Sequence, residues 1–330
     1  MNAPERWLSP LLRTVGRVIS PAGARARLSV LIFHRVLDAP DPMRPGEIDA
    51  AAFRFVVDLL SRQFEVLPLG SAVQRLVRGE LDERAVAITF DDGYADNARV
   101  ALPILADAHV PATFFVSTGF LDGSAMWNDV VIEAVRETGA QELDLERFRV
   151  GRCALGGTAE RADLAQRLLQ ALKHRPLGER RELVSELCEV MRVAPYRGLM
   201  MTADDVRTLA RAGMAIGAHT VNHPILRSIP VDEAEHEVIT SKKQLEAIVG
   251  GAIELFAYPN GRPEDDYAIE HVRMVERAGF VAAVTTAWGV ATRRSDVFQL
   301  PRFTPWDRDP LRFGLRMLQN YTRTHPKVAA

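Results

Sequence analysis

Short apolar runs alternate with longer amphipathic stretches along most of this chain. Leu28 to Phe33 is nearly all apolar, which suits a buried strand. Asp49 to Phe64 then puts Phe53, Val56, Val57, Leu59 and Leu60 on one side of a helix. Ala85 to Phe90 predicts a second strand, which stops abruptly at Asp91-Asp92-Gly93. A helix over Asn97 to Ala108 and a strand over Ala112 to Val116 follow. Thr202, with Asp205 three residues on, predicts a capped helix running to about Ala212. Met214 to Ala218, Leu255 to Tyr258 and Val281 to Thr285 read as further strands. Helices over roughly 232–249 and 266–278 separate them, ending near Gly250 and Gly279.

Strand–helix alternation of this kind implies an α/β fold with a parallel sheet and helices outside it. An open doubly wound sheet and a closed barrel both fit the pattern. Residues from about 124 to 200 break the rhythm, with helical patterns at Asp129–Thr138, Ala159–Lys173 and Gly178–Met191 and no strand signal. They read as a helical insertion between two strands of one domain. No internal repeat or low-complexity segment is visible.

At 330 residues the chain has length for two average domains or for one large barrel. Its core needs no disulfide or metal to hold it together. Basic and acidic residues number 41 and 43, a formal charge of -2, which argues against a general nucleic-acid binder. Cys153 and Cys188 lack any CxxC companion and read as reduced, buried thiols. No run approaches the roughly 18–20 apolar residues of a membrane span. Arg13, Gly16 and Arg17 interrupt the early apolar stretch, so no secretory signal is expected. Trp7, Leu8, Leu11, Leu12, Val15, Val18 and Ile19 instead repeat at helical spacing. Such a stripe suits either peripheral membrane contact through residues 7–19 or a helix packed on the domain. The expected location is cytoplasmic, with a possible site at the inner membrane.

Chemistry-bearing residues fall at predicted strand ends. Two adjacent carboxylates after a buried strand, in Thr89-Phe90-Asp91-Asp92-Gly93, are costly unless something neutralises them. One Asp on a metal ion, with the other free to take a proton from water, would explain the pair. The alternative is a helix N-cap followed by a turn. His219-Thr220-Val221-Asn222-His223-Pro224 follows another strand, and histidines four apart on one turn can grip one metal. One Asp with two His is a common catalytic set that leaves positions open for water and substrate. In Phe256-Ala257-Tyr258-Pro259-Asn260-Gly261, Tyr258 or Asn260 could touch a ligand, or the segment is a structural turn. Arg302, in Leu300-Pro301-Arg302-Phe303, and His34, in Phe33-His34-Arg35, end two further apolar runs.

Thr89–Gly93, His219–Pro224 and Phe256–Gly261, in that order, resemble the first three motifs of the polysaccharide deacetylase family, carbohydrate esterase family 4. Gly93-Tyr94-Ala95-Asp96-Asn97 and Pro111-Ala112-Thr113-Phe114-Phe115-Val116 are similar to family blocks as well, and the likeness spans about residues 28–305. It implies a distorted (β/α) barrel of fewer than eight regular strands, with the site at the strands' C-terminal ends. The expected organisation is an amphipathic segment over 1–27, a barrel domain over 28–310 and a C-terminal helix and tail over 311–330.

The resemblance implies a metal-dependent hydrolase, with zinc (Zn2+) as the default ion, that removes N-acetyl groups from an N-acetylhexosamine-containing glycan. Asp91 matches the catalytic base, and Asp92, His219 and His223 match the metal ligands. A backbone N–H near Tyr94 is expected to stabilise the oxyanion, and Tyr94, Tyr258 and Asn260 to contact substrate. Two departures stand out. Ala257 occupies the place of an Arg that orients the base in many members, and Leu300-Pro301-Arg302 stands where many carry a Leu-x-His motif supplying the acid. Arg302 is expected to take over the orienting charge, and His34 to serve as the missing acid. A lipid- or nucleotide-linked sugar precursor is one expected substrate. Deformylation of a lipid-linked amino sugar and a catalytically weak glycan-binding protein are the alternatives.

Overall fold

The computed structural model describes residues 12–304, 307 and 309–330. Seven parallel strands form a closed ring: β1 (Ser29–Phe33), β2 (Ala85–Phe90), β3 (Thr113–Val116), β4 (Ala215–Ala218), β5 (Leu255–Ala257), β6 (Ala282–Trp288) and β7 (Leu300–Phe303). They follow chain order, and β1 closes the ring by pairing with both β2 and β7. Phe33 lies beside Phe90, and Val30 beside Arg302. The barrel therefore replaces the open sheet that the strand pattern also allowed.

Side-chain alternation decides what each strand residue does. One set, including Val30, Ala87, Phe115, Ala257, Val284 and Leu300, meets in the barrel interior. The other, including Leu31, Ile88, Phe90, Phe114 and Phe256, packs beneath the surrounding helices. Helix Ala50–Gln63 shows the pattern: Asp49 accepts the Ala52 N–H at its start, and Phe53 meets Phe33 and Phe90 edge-on. Burying a side chain of that size contributes about 1.5–3 kcal/mol. In β4, Gly217 is required, because a Cβ there would lie 2.4 Å from the Phe115 ring.

The insertion joins β3 to β4 and has its own core, in which Val131, Leu164, Leu168 and Leu187 meet from helices Trp127–Glu137, Thr158–Leu172 and Leu177–Met191. It is not purely helical. Glu142–Leu145 and Gly151–Ala154 form an antiparallel hairpin, and Asp122–Ser124 pairs antiparallel with Arg197–Thr202. These strands leave little trace in the pattern because they are short, and Asp122–Ser124 carries no apolar side chain at all. Both cysteines are buried and free.

Residues 1–11, which carry Trp7, Leu8 and Leu11 of the N-terminal stripe, lie outside the described residues. Residues 12–19 form a helix whose Leu12 packs on Gly314, while Val18 is exposed. Leu12 is thus buried and Val15 and Ile19 are half-buried, leaving Val18 alone of the described stripe residues exposed, which gives no support to membrane contact. Helix Pro310–Tyr321 closes the N-terminal end of the barrel: Tyr321 donates to the Ala85 carbonyl at 2.8 Å, and Asn320 to the Ser29 hydroxyl at 3.0 Å. No helix among the described residues is long and apolar enough to cross a membrane.

Candidate active site

The C-terminal ends of the strands bring together His34 after β1, Asp91 and Asp92 after β2, and His219 and His223 after β4. In (β/α) barrels this is the rim where chemistry resides. Asp92 adopts a positive φ of 75° directly after Asp91, so the two neighbouring carboxylates diverge. Asp92 turns toward the histidines, with its Oδ1 3.3 Å from His219 Nε2 and 3.4 Å from His223 Nε2. The three ligand atoms lie within 4.8 Å of one another, yet Asp92 Oδ1 is buried with no hydrogen-bond partner. His219 Nδ1 is engaged with the Ala257 carbonyl at 2.8 Å, which leaves Nε2 facing the centre. Burial pushes His223 down to about 4 against the pull of Asp92, whereas Asp91 and Asp92 raise His219 against its own burial. An orphaned carboxylate oxygen between two aimed imidazoles fits a divalent transition ion.

Asp91 turns the other way, into the top of the barrel. Arg302 grips both of its oxygens, at 2.7 and 2.6 Å, and its Nε donates to the Thr285 carbonyl at 2.8 Å. Nη1 also reaches the Thr89 hydroxyl at 3.2 Å. Arg302 is 0% exposed and Asp91 2%. Burial alone would raise the Asp91 carboxyl, but the Arg302 guanidinium and then His219 outweigh it and hold the group below the ordinary carboxylate range.

Glu237 holds the histidine loop from beneath. This buried residue of helix Val231–Val249 accepts the Val221 N–H at 2.7 Å and the Asn222 N–H at 2.8 Å. A second buried network anchors the insertion to the barrel rim. Arg35 pairs with Asp96 at 2.8 Å, and Arg44 with both Asp129 and Glu133 at 2.7 Å. Tyr94 donates its hydroxyl to Asp129 at 2.8 Å. Sequence reasoning missed Glu237, Asp129 and Glu133, although each is a charge on an otherwise apolar helix face and could have been flagged on that ground.

A cavity of about 490 Å3 opens over the Asp/His/His cluster, lined by His34, Asp91, Asp92, His219, His223 and Asn260. The insertion supplies another wall, with Trp127, Gln166, Gln170 and Arg180. Glu47 also lines it, its carboxyl raised by burial and pulled back in part by His34. Tyr258 corrects the expectation that it contacts substrate. It shares the side-chain direction of Phe256, so it lies on the helix-facing side, 0% exposed, stacked on Tyr267 with its hydroxyl donating to the Phe298 carbonyl. Tyr94 reaches the cavity, but Arg35 covers its ring and Asp129 takes its hydroxyl, so its backbone is what remains for a ligand.

The fold and site define a barrel with an Asp/His/His cluster at the C-terminal rim of its strands. The profile of the polysaccharide deacetylase family matches residues 78–145 and 179–282, just over half of the chain. The chain belongs to that family. YxkH of Bacillus subtilis strain 168 is 21% identical over 278 residues, covering 84% of this chain and 71% of that protein. Among solved structures, Streptococcus pyogenes deacetylase PplD, in complex with acetate, superposes with a TM-score of 0.59 at 19% identity, covering 90% of this chain and 98% of its own. IcaB from Ammonifex degensii gives 0.55 at 18%, covering 91% and 98%. At these identities the structural likeness speaks for the fold.

Proposed function

We propose that this chain is a metal-dependent hydrolase that removes N-acetyl groups from N-acetylhexosamine units of a bacterial-type polysaccharide or of its lipid- or nucleotide-linked precursor. The observation that carries the reading is the pairing of an orphaned Asp92 oxygen between two histidines with a neighbouring Asp91 held ionised by Arg302. Asp92, His219 and His223 would hold the ion, zinc by default. When bound, it supplies a Lewis acid for an acyl carbonyl and acidifies a water.

Asp91 takes the proton from the attacking water, and it can do so because it is ionised and aimed. Arg302 positions it, standing in for the Arg that many relatives place where this chain has Ala257. A backbone N–H near Tyr94 would stabilise the developing negative charge. His34 gives a proton to the departing amine, without which the tetrahedral species would return to substrate. Asn260 contributes to the substrate wall.

Acetate release from N-acetylglucosamine oligomers and lipid-linked saccharides tests the reading, with zinc-loaded wild type compared with Asp91→Asn. Release by wild type and none by a variant that still binds zinc is expected. Tight zinc binding without release from any acceptor would favour deformylation or a glycan-binding protein. Equal release from both proteins would sink the mechanism.

A further inference from the structure

The insertion places on the cavity wall a cation for which the proposed hydrolysis has no use. Arg180, in the first turn of helix Leu177–Met191, is 8% exposed and borders both the cavity over the triad and an adjoining one of about 960 Å3. Its guanidinium stacks 4.8 Å from the centre of the Trp127 ring, and Nη1 donates to the Lys173 carbonyl at 3.1 Å. The other buried arginines of this region, Arg35, Arg44 and Arg302, each sit on carboxylates at 2.6–2.8 Å. Arg180 has no such partner among the described residues, and its Nε is buried with nothing to bond. A buried charge left in this way is costly unless a ligand completes it.

Three neighbours point the same way. Pro176, the N-cap of that helix, lies on the wall of the larger cavity, and no side chain caps the helix. Lys173 and Arg262 line the same space. The acids there are Asp265 and Asp266, and Asp266 accepts the Arg262 N–H at 2.9 Å. Helix N-termini and guanidinium forks both favour oxyanions.

We propose that Arg180 is the centre of an anion subsite beside the metal triad, which takes a phosphate or carboxylate group carried by the substrate next to the N-acetylhexosamine unit. This rests on the deacetylase reading and narrows its substrate class to anionic glycans or glycosyl phosphates. A neutral chain would leave the buried guanidinium without a partner, so the subsite selects against it.

The test compares three acceptors: chitobiose, N-acetylglucosamine esterified to diphosphate, and a disaccharide of N-acetylglucosamine with glucuronic acid. In Arg180→Gln, kcat/KM for a charged acceptor should fall about 10- to 100-fold further than for chitobiose, the range expected for one charge-assisted contact. The acceptor that shows the drop identifies the anion as phosphate or uronate. A uniform loss on all three is what a purely structural arginine under Trp127 would give, and it would overturn the proposal. Should Arg180→Gln not fold, Arg180→Lys, which keeps the charge but not the fork, should still lose part of the preference. An unchanged preference in Arg180→Lys would also overturn it.

Calorimetric titration of zinc-loaded protein with inorganic diphosphate separates the subsite from the reaction. Binding to wild type that disappears in Arg180→Gln supports the subsite whether or not acetate is released. Equal binding to both proteins overturns it. Intact, Arg180-dependent binding with no acetate from any acceptor would uphold the subsite and count against the deacetylase reading alone.

Discussion

Replacing Arg302 by methionine would remove the cation from Asp91 while keeping an unbranched apolar side chain in the barrel. Both groups are almost fully buried, and the guanidinium also bonds the Thr285 carbonyl. Deleting one member of a buried pair leaves an uncompensated charge and costs about 3–5 kcal/mol. In a chain of this size that should lower the melting temperature by on the order of 5–15 °C. The reasoning attributes the loss to the stranded carboxylate, so Asp91→Asn introduced into Arg302→Met should recover part of it. Urea denaturation of the four proteins of that cycle should give a coupling of about 2 kcal/mol or more. pH supplies a second check. In the wild type the Asp91 carboxyl sits below its unfolded value, so its stabilising contribution is complete above about pH 4 and fades only below it. In Arg302→Met, burial acts without the cation and lifts the carboxyl above its unfolded value. Folding then takes up a proton, and the variant's deficit should shrink as pH drops from 7 toward 5. Single variants that add within about 0.5 kcal/mol, or a deficit independent of pH, would refute the argument.

Other variants probe the supports of the site. Glu237→Ala should free the backbone of Val221 and Asn222 and weaken zinc binding about 10- to 100-fold in a chelator competition, as losses behind metal ligands do; an unaltered affinity would mean the loop holds itself. Gly217→Ala should cost about 1–3 kcal/mol in thermal denaturation, since the added Cβ meets the Phe115 ring. A cost near zero would show that the ring can swing away. His34→Ala should lose far more turnover on N-acetyl acceptors than on p-nitrophenyl acetate, whose leaving group needs no proton, and Glu47→Gln serves as its comparison because that carboxyl lines the same cavity. If the selective loss appears in Glu47→Gln and not in His34→Ala, the proton comes from Glu47.

The apolar runs at Leu28–Phe33 and Ala85–Phe90 and the strands before His219 and Asn260 were legible because strands buried on both faces have few polar positions. The clustering of Asp92 with His219 and His223 was legible because metal-binding chemistry restricts residue types. Other features were not legible in the local pattern. Closure of the ring followed from the family resemblance alone, since β1 meeting β7 is a pairing that local pattern does not encode. The direction of Tyr258 depends on strand parity, which a run apolar on both faces hides. Helix Leu69–Arg78 has no counterpart in the sequence reading, although Leu69, Ala72, Val73 and Leu76 are spaced for it. The predicted helix over Asn97–Ala108 begins instead with a wider π-helical turn over Asn97–Ala101. In the insertion, nothing in the sequence singles out Arg180, because its burial under Trp127 comes from the packing of two helices distant in the chain.

The bond from Arg302 to Asp91 spans 211 residues, and it runs between the second strand of the ring and the last. A ribosome adding about 5–20 residues per second makes the carboxylate on the order of 10–40 s before the cation that balances it. Until residues 300–303 emerge, β1 has no β7 to close against, and the charge at residue 91 has a reason to stay in water. Sealing the barrel and pairing the Asp91 carboxylate are therefore one event in the life of the chain. A product that stops before residue 300 is left with its ring open and that carboxylate without its cation.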